Sequence, residues 1–445
     1  MRIDVAKQPV DPGPAAWREF LPDPEPFQTL DRSITADWLV IGAGFAGLSA
    51  ARRLSRLCPT DRIVVLDAKR VAEGPAGRNS GFMIDLPHDL TSSDYAGGLE
   101  HDKAITADNR YAIDFAGEMA VEFGFDEDVF SRCGKINGAA TAKGHRHNVD
   151  YARHLEALGE GSEMLDAQTM RDVTGSSFYR SGLFTKGTAI IQPAAFVHGV
   201  AKGISSNRVQ IFENSGVTAL RRDGDWIAET GGGSVTAPKV ILAVNGHLNS
   251  FGFLPNRLMH VFTYASVTRR LTVEEIGTLG GQTPWGITPA DPLGSTVRRL
   301  SGPMGDRILI RNRFTFDPSM EVDQKRIDRV AVDHDRAFAA RFPMLKGVEM
   351  EYRWGGRLCL SRNNVGVVGE LEEGLYSACC QNGLGTTRGT LGGILAADLA
   401  TGAKSDRLTR ALNAEEPKRL PPSVVATPAA RATLKWQEWK AGREL

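Results

Sequence analysis

The stretch Ala36–Leu54, ADWLVIGAGFAGLSAARRL, decides the fold. Asp37 to Ile41 form a short, mostly apolar run that reads as a buried strand. Gly42, Ala43, Gly44, Phe45, Ala46 and Gly47 then spell G-x-G-x-x-G. The first glycine permits a tight turn, the second lets backbone approach a pyrophosphate, and the third lets helix pack on strand. A helix follows with Leu48, Ala51 and Leu54 on one face, and its unpaired N–H groups and dipole suit a phosphate. The next apolar strand, DRIVVLDAKR, carries Asp67, with Ala68 beside it, twenty residues past Gly47. A carboxylate at that distance accepts ribose hydroxyls. Together these elements predict a Rossmann-like dinucleotide fold of α/β class. The turn alone leaves nicotinamide and flavin dinucleotides both open.

Composition narrows the class. A chain of 445 residues exceeds one ordinary core, so a second domain, of α+β type, is expected. Lys plus Arg equals Asp plus Glu at 53 each, so no overall field recruits nucleic acid or an anionic membrane. Five cysteines, Cys58, Cys133, Cys359, Cys379 and Cys380, show no CxxC spacing. That usage suits a reducing compartment. With no apolar run near the roughly 18 residues of a spanning helix and no secretory pattern at the start, a cytoplasmic protein without membrane insertion is expected. No metal site is expected: His145 and His147 stand in a polar stretch that reads as a solvated loop, without a completing ligand set, and His154 follows.

Three further segments carry a family resemblance. GPAGRNSGFM runs from Gly74 to Met83. VQIFENSGVTAL leads by alternating strands to KVILAVNG, which ends at Gly246. YRWGGRLCLSRNNVGVVGELEEGLYSACCQNGLGTTRGTLGGILAADLATG closes the core. With the opening turn, these resemble the FAD-dependent amine and D-amino-acid oxidase superfamily that includes glycine and sarcosine oxidases. The gamma-glutamylputrescine oxidoreductase-like branch is the nearer match.

The resemblance implies FAD, held non-covalently because neither His nor Cys occurs between Gly74 and Phe82. It implies that Arg78, Asn79, Ser80 and Gly81 run along the diphosphate and flavin, with Arg78 bonding phosphate or ring edge. By the same resemblance Val217 meets adenine, while Ala243, Asn245 and Gly246 approach the nucleotide. Asn382, Gly383, Leu384, Gly385 and Thr386 form a turn before a last helix. A helix N-terminus aimed at the flavin pyrimidine favours the negative charge that grows on reduction. Cysteine-linked flavin in some relatives falls nearer Gly356 than Cys359, so Cys359, Cys379 and Cys380 read as buried, inert thiols.

The implied activity is oxidation of a C–N bond of an amine or N-substituted amino acid, with hydride passing to flavin N5 and the imine hydrolysing to a carbonyl and an amine. An NAD(P)-dependent dehydrogenase and a catalytically idle flavin-binding subunit are the rival readings. Partners are a small amine and oxygen or another acceptor; the oligomeric state stays open. Glycine-oxidase-like relatives place a carboxylate-binding Arg four residues after the Trp, where this chain has Leu358, with Arg357 pointing elsewhere if the backbone is a strand. Gln381 replaces a second basic residue. Both departures favour an amine, or an acid whose carboxylate lies far from the reacting carbon. Met83, His260 and Tyr264 are the catalytic pocket candidates, joined by Trp285 and His88.

The predicted organisation is an N-terminal extension over 1–30 that packs on the surface, a discontinuous FAD-binding domain over 31–105, 165–255 and 346–402, a substrate domain over 106–164 and 256–345 built on a mostly antiparallel sheet, and a tail over 403–445. NRYAIDFAGEMAVEFGF and residues 324–342 read as helices, and RLPPSVVATPAA as an extended linker.

Overall fold

The computed structural model describes residues 1–22, 25–87 and 97–445. Its organising layer is a six-stranded sheet in the order Val209–Phe212, Ile63–Leu66, Trp38–Ile41, Lys239–Leu242, Leu375–Cys379 and Val367–Glu372. The first five strands are parallel and the last is antiparallel. WLVI, IVVL and the apolar end of KVIL are buried on both faces, which is why they read as continuous apolar runs rather than alternating ones. Successive residues still divide between two cores. Trp38, Val40, Ile63 and Val65 face the helices, whereas Leu39, Ile41, Val64 and Leu66 face a small five-stranded sheet.

The helices Phe45–Leu57 and Thr387–Thr401 lie against each other on the first face. Their contact needs glycine: a Cβ on Gly393 would stand 2.0 Å from the Ala46 carbonyl oxygen. Leu99–Glu122, the predicted amphipathic helix, adds its buried Ile113, Phe115, Ala116 and Met119 to the same core.

The second half is an eight-stranded, mostly antiparallel sheet. Its order is Met350–Ser361, Leu258–Thr268, Arg307–Phe316, Thr296–Leu300, Trp285–Pro289, Lys135–Ala139, Ser181–Thr185 and Glu163–Leu165. Trp285–Pro289 and Lys135–Ala139 form its one parallel pair. Helix Gln324–Arg341 covers one face through Ile327, Val330, Ala337 and Phe338. Ser181–Thr185 and Met350–Ser361 fall in segments that the sequence division placed with the dinucleotide half, yet both pair in this sheet. Strand pairing joins residues distant in sequence, and linear segment boundaries do not carry it.

Three local readings change. The stretch around His145 and His147 is not a loop but helix Ala142–Leu158, opened by Thr141 accepting from Gly144 N and closed by left-handed Gly159. The N-terminal extension does not merely rest on the surface: Arg2–Asp4 pairs with Val217–Asp223, and Trp17 is fully buried. The tail is not an extended linker, because Ser423–Ala441 forms a helix with Pro428 inside it. Among the described residues no helix is long and apolar enough to cross a membrane.

Candidate active site

A cleft runs along the carboxyl ends of the parallel strands, where open α/β sheets bind ligands. Gly42, Gly44, Phe45 and Ala46 form one wall. Gly42 sits at φ +108°, and a Cβ there would lie 2.6 Å from the Ala243 carbonyl oxygen. Gly47 stands behind the turn rather than on the wall; its missing Cβ would fall 1.7 Å from the Gly42 carbonyl oxygen. The glycines therefore do what their spacing requires, bringing backbone close to whatever occupies the cleft.

Two helices begin at this cleft without a side-chain cap and without an acid in the first turn. One starts after Gly44 and the other after Thr386. Gly383, Gly385 and Thr386 line the cleft at the second. Uncapped N–H groups and the positive ends of two dipoles thus converge on one space, which suits an anionic dinucleotide. Thr386 spends its hydroxyl on the Phe82 carbonyl, 2.6 Å away, and so ties the second helix to the Phe82–Met83 strand.

Asp67 and Ala68 lie at the far end with Val217. Asp67 accepts from Ala43 N at 2.8 Å and from Lys69 N at 2.9 Å. Burial pushes its carboxyl up to about 6 against the pull of those two bonds. The remaining lone pairs are free to accept hydroxyl donors. Ala243, Asn245 and Gly246 close the floor, and Asn79 and Ser80 border the other side.

Arg78 lines the cleft, but its guanidinium is spent on carbonyls: Nε donates to Glu73, Nη1 to Pro12 and Gly355, and Nη2 to Gly13. Its predicted bond to a phosphate or ring edge is replaced by a role in holding the loop. Gly81 lies behind that loop at φ +79°, with Arg298 and the Ile191 carbonyl where a Cβ would be. Asn382, at φ +50°, also stands back, accepting from Ser361 N and donating to the Val365 carbonyl. Leu384 packs with Phe82, Ile84 and Ile190.

The catalytic candidates are not on the wall. Met83 is fully buried in the helix-side core. Tyr264 points away from the cleft, bonds Thr315 Oγ1 at 2.6 Å and packs beside Ile327 and Val330; burial pushes its hydroxyl up to about 12. His260 bonds Asn249 Oδ1 at 3.0 Å, and burial followed by the charge of Arg357 pushes it down to about 4. Trp285 stacks on Phe342 in a separate core. Along Leu258–Thr268, alternation turns Phe262 and Tyr264 to the covering helix, whereas Thr263 reaches the cleft. His88 lies outside the described residues.

Leu358 and Gln381, the two departures the sequence singled out, line the cleft, and so do Thr263, Phe82, Phe251 and His247, which it missed. Leu358 is the most informative. The Met350–Ser361 strand puts it in an apolar cluster with Val261, Leu293, Phe314 and Phe316, against which Ala430, Leu434 and Ala441 of the C-terminal helix pack. Arg357 projects from the other face of the strand yet also lines the cleft, bonding His247 Nε2 at 2.6 Å and the Met320 carbonyl at 3.2 Å. Cys359 also reaches the cleft and lies beside Cys380; that contact and burial hold its thiol well above the usual range. All five cysteines are free. Among the described residues no group of three His, Cys, Asp or Glu side chains is placed to hold a metal ion.

Comparison with known proteins agrees with this geometry. The family model described as FAD dependent oxidoreductase matches residues 37–399. The chain is 27% identical over 381 residues to gamma-glutamylputrescine oxidoreductase of Escherichia coli strain K12, covering 85% of this chain and 86% of that protein. It is 25% identical over 418 residues to the probable oxidoreductase OrdL of Rhizobium meliloti strain 1021, covering 90% and 91%. Its fold matches the crystal structure of glycine oxidase from Geobacillus kaustophilus with a TM-score of 0.68 at 17% identity, over 84% of this chain and 96% of that one. The two uncapped helix ends, the glycine cradle and the acid at Asp67 fit FAD, and the chain belongs to the FAD dependent oxidoreductase family.

Proposed function

We propose that this protein oxidises the C–N bond of an amine that carries no carboxylate on the reacting carbon. FAD, when bound, accepts the hydride at N5 and returns electrons to oxygen or another acceptor. The single observation that carries the substrate reading is Leu358. A carboxylate beside the reacting carbon needs a guanidinium, which meets a planar anion with two parallel bonds. This strand offers there an alkyl side chain among Val261, Phe314 and Phe316. Arg357 also lines the cleft, but its guanidinium is already engaged by His247 Nε2, the Met320 carbonyl and Asp11.

The same apolar wall serves the chemistry. An ammonium has no lone pair to assist hydride departure, so the amine must react neutral. A dry pocket disfavours its charged form and lowers its pKa toward neutrality. Leu358 and Phe82 exclude water from one side of the cleft, and the C-terminal helix backs the Leu358 cluster. The Thr386 helix end offers uncapped N–H groups at the cleft, which would stabilise the negative charge of a reduced flavin held there. Thr263 and Gln381 are the polar groups left on this side to orient the substrate.

The cofactor site assigned to Gly42, Gly44, Phe45, Ala46, Asp67, Ala68, Asn79, Ser80, Val217, Ala243, Asn245, Gly246, Gly383, Gly385 and Thr386 belongs to this proposal. So does a non-covalent flavin, since no His or Cys stands in the Gly74–Phe82 loop. The likeness to gamma-glutamylputrescine oxidoreductase supports an extended amine as substrate class.

The test is a visible spectrum before and after acid precipitation, then anaerobic titration with a panel of amines. Yellow colour released to the supernatant and bleached by a carboxylate-free amine supports the reading. Colour retained in the pellet contradicts the non-covalent part. Bleaching by no amine at all leaves the idle subunit standing instead.

A further inference from the structure

The N-terminal segment has a property that no motif announced. Val5, Lys7, Gln8, Pro9 and Asp11 line the cofactor cleft, while Ala6, Lys7, Gln8 and Val10 are exposed on the outer side. One extended run of chain is therefore a wall between the cleft and solvent.

Its attachments reach every part of the site. Val5 N donates to the Thr218 carbonyl and Ala6 N to Ser250, both at 2.9 Å. Gln8 Nε2 donates to the Val217 carbonyl at 2.7 Å, at the Asp67 end of the cleft. Lys7 Nζ reaches the Ser319 carbonyl in the other half of the molecule. Asp11, with a side chain only 3% exposed, lies 3.5 Å from Arg357, itself 4% exposed. Its second oxygen, Oδ2, is buried and has no partner among the described residues. The Pro12 and Gly13 carbonyls take the Arg78 guanidinium, and Trp17 Nε1 donates to the Asn79 carbonyl at 2.8 Å.

This explains why Arg78 is not spent on a phosphate. It ties the loop bordering the cleft to the N-terminal segment. We propose that residues 5–13 are a built-in strap over FAD, with Gln8 and Asp11 as cofactor-site residues, and that FAD leaves only when this strap peels from its weaker anchor, the Arg2–Asp4 strand. The strap holds the dinucleotide by closing the cleft behind it and by fixing the Gly74–Phe82 loop through Arg78. The anchors divide unequally: Trp17 is fully buried, whereas Arg2–Asp4 adds only a three-residue edge strand. Peeling from the Arg2–Asp4 side is thus the easier motion. The inference rests on FAD binding, which family membership supplies, and not on the identity of the amine.

Two variants push the strap in opposite directions, and flavin fluorescence reads the rate of release into solution without any turnover. Deleting residues 1–13 is expected to speed FAD release by about tenfold or more, because a preorganised closure is lost and such losses appear mainly in the off-rate. The double variant Arg2→Cys with Arg221→Cys locks the Arg2–Asp4 anchor, since these positions face each other across the antiparallel pair. Its oxidised form is expected to release FAD more slowly than the same protein after reductant, by about threefold or more. Hydrogen exchange at residues 5–13 should slow when FAD is added. Release within twofold of the full chain after deletion overturns the strap, and so does a lock with equal rates in both redox states. If the deleted chain does not fold, the lock and the exchange experiment decide alone. A failure here with a yellow, amine-bleached protein leaves the proposed function intact.

Discussion

The two ends of the chain reach the same strand from opposite sides. Met350–Ser361 turns Arg357 toward Asp11 of the N-terminal segment and Leu358 toward the C-terminal helix. One face is a polar network of Asp11, Arg357 and His247 beside the cofactor cleft. The other is an alkyl and aromatic surface of Val261, Phe314, Phe316 and Leu358. Because side chains alternate along a strand, one residue of register separates a cation tied to the N-terminal segment from a hydrocarbon packed on the C-terminal helix. On the proposals made above, cofactor retention and substrate choice fall on opposite faces of a single element.

Swapping chemistry on the hydrocarbon face should have the largest effect. Leu358→Arg sets an unpaired guanidinium at a half-buried position against Val261, Phe314 and Phe316, at a cost of about 2 kcal/mol. The expected kcat/KM for a carboxylate-free amine falls by about 100-fold or more, since desolvation and shape are both lost. Thermal melting and steady-state kinetics read both effects. Full activity in this variant would break the assignment of that face to the substrate.

Breaking the polar face should act on the cofactor instead. Arg357→Met leaves Asp11 buried without its cation and is expected to destabilise the protein by about 3 kcal/mol. FAD affinity should fall, while the holoenzyme that remains keeps its KM for the amine. Fluorescence titration of the apoprotein with FAD checks the first and kinetics the second.

A smaller change sharpens the role of the C-terminus. Glu444 is buried, and its carboxylate accepts from Ala140 N, Thr141 N and Thr141 Oγ1 between 2.8 and 3.0 Å. The Leu445 carbonyl is held by Arg341. Glu444→Ala should cost about 2 kcal/mol by leaving those donors unpaired. Loosening this anchor frees the helix that backs Leu358, so KM for the amine rises while the FAD release rate stays unchanged.

The smallest effect is with pH. Burial, reinforced by Arg357, pushes His247 down to about 3 and His260 to about 4. A depressed histidine binds its proton in the unfolded state first, so its contribution is whole above about 6.5 and is lost as pH falls toward the folded value. Asp67, pushed up to about 6, works the other way: stability rises as pH falls from about 6 toward its ordinary value. The melting temperature should therefore drop by a few degrees from pH 7 to 5, and His247→Gln should flatten the drop.

The dinucleotide half was readable because its signals are local. A strand, a glycine turn, a helix and an acid stand within about 30 residues of one another, the span of one βαβ unit. Leu358 and Arg357 were readable for a different reason: once the backbone is a strand, alternation alone assigns their faces. The strap was not readable, because most of its attachments use backbone atoms or carbonyls, and composition shows only a polar, proline-bearing lead-in. His260, Tyr264 and Met83 look like catalytic residue types, but sequence does not say which face of a long strand or which side of a loop meets the cleft. Arg78 shows the same limit, since its charge suggested phosphate while the four carbonyls around it come from three separate segments.

On the proposed function, Leu358 selects against a carboxylate on the reacting carbon. The most direct measurement is anaerobic reduction of the flavin by a matched pair, an extended acylated diamine and the same molecule with a carboxylate on the carbon that loses hydride. The account predicts rapid bleaching by the first and a rate about 100-fold slower with the second, about the cost of an unpaired charge at an apolar wall. Equal rates, or a preference for the carboxylated partner, would contradict it.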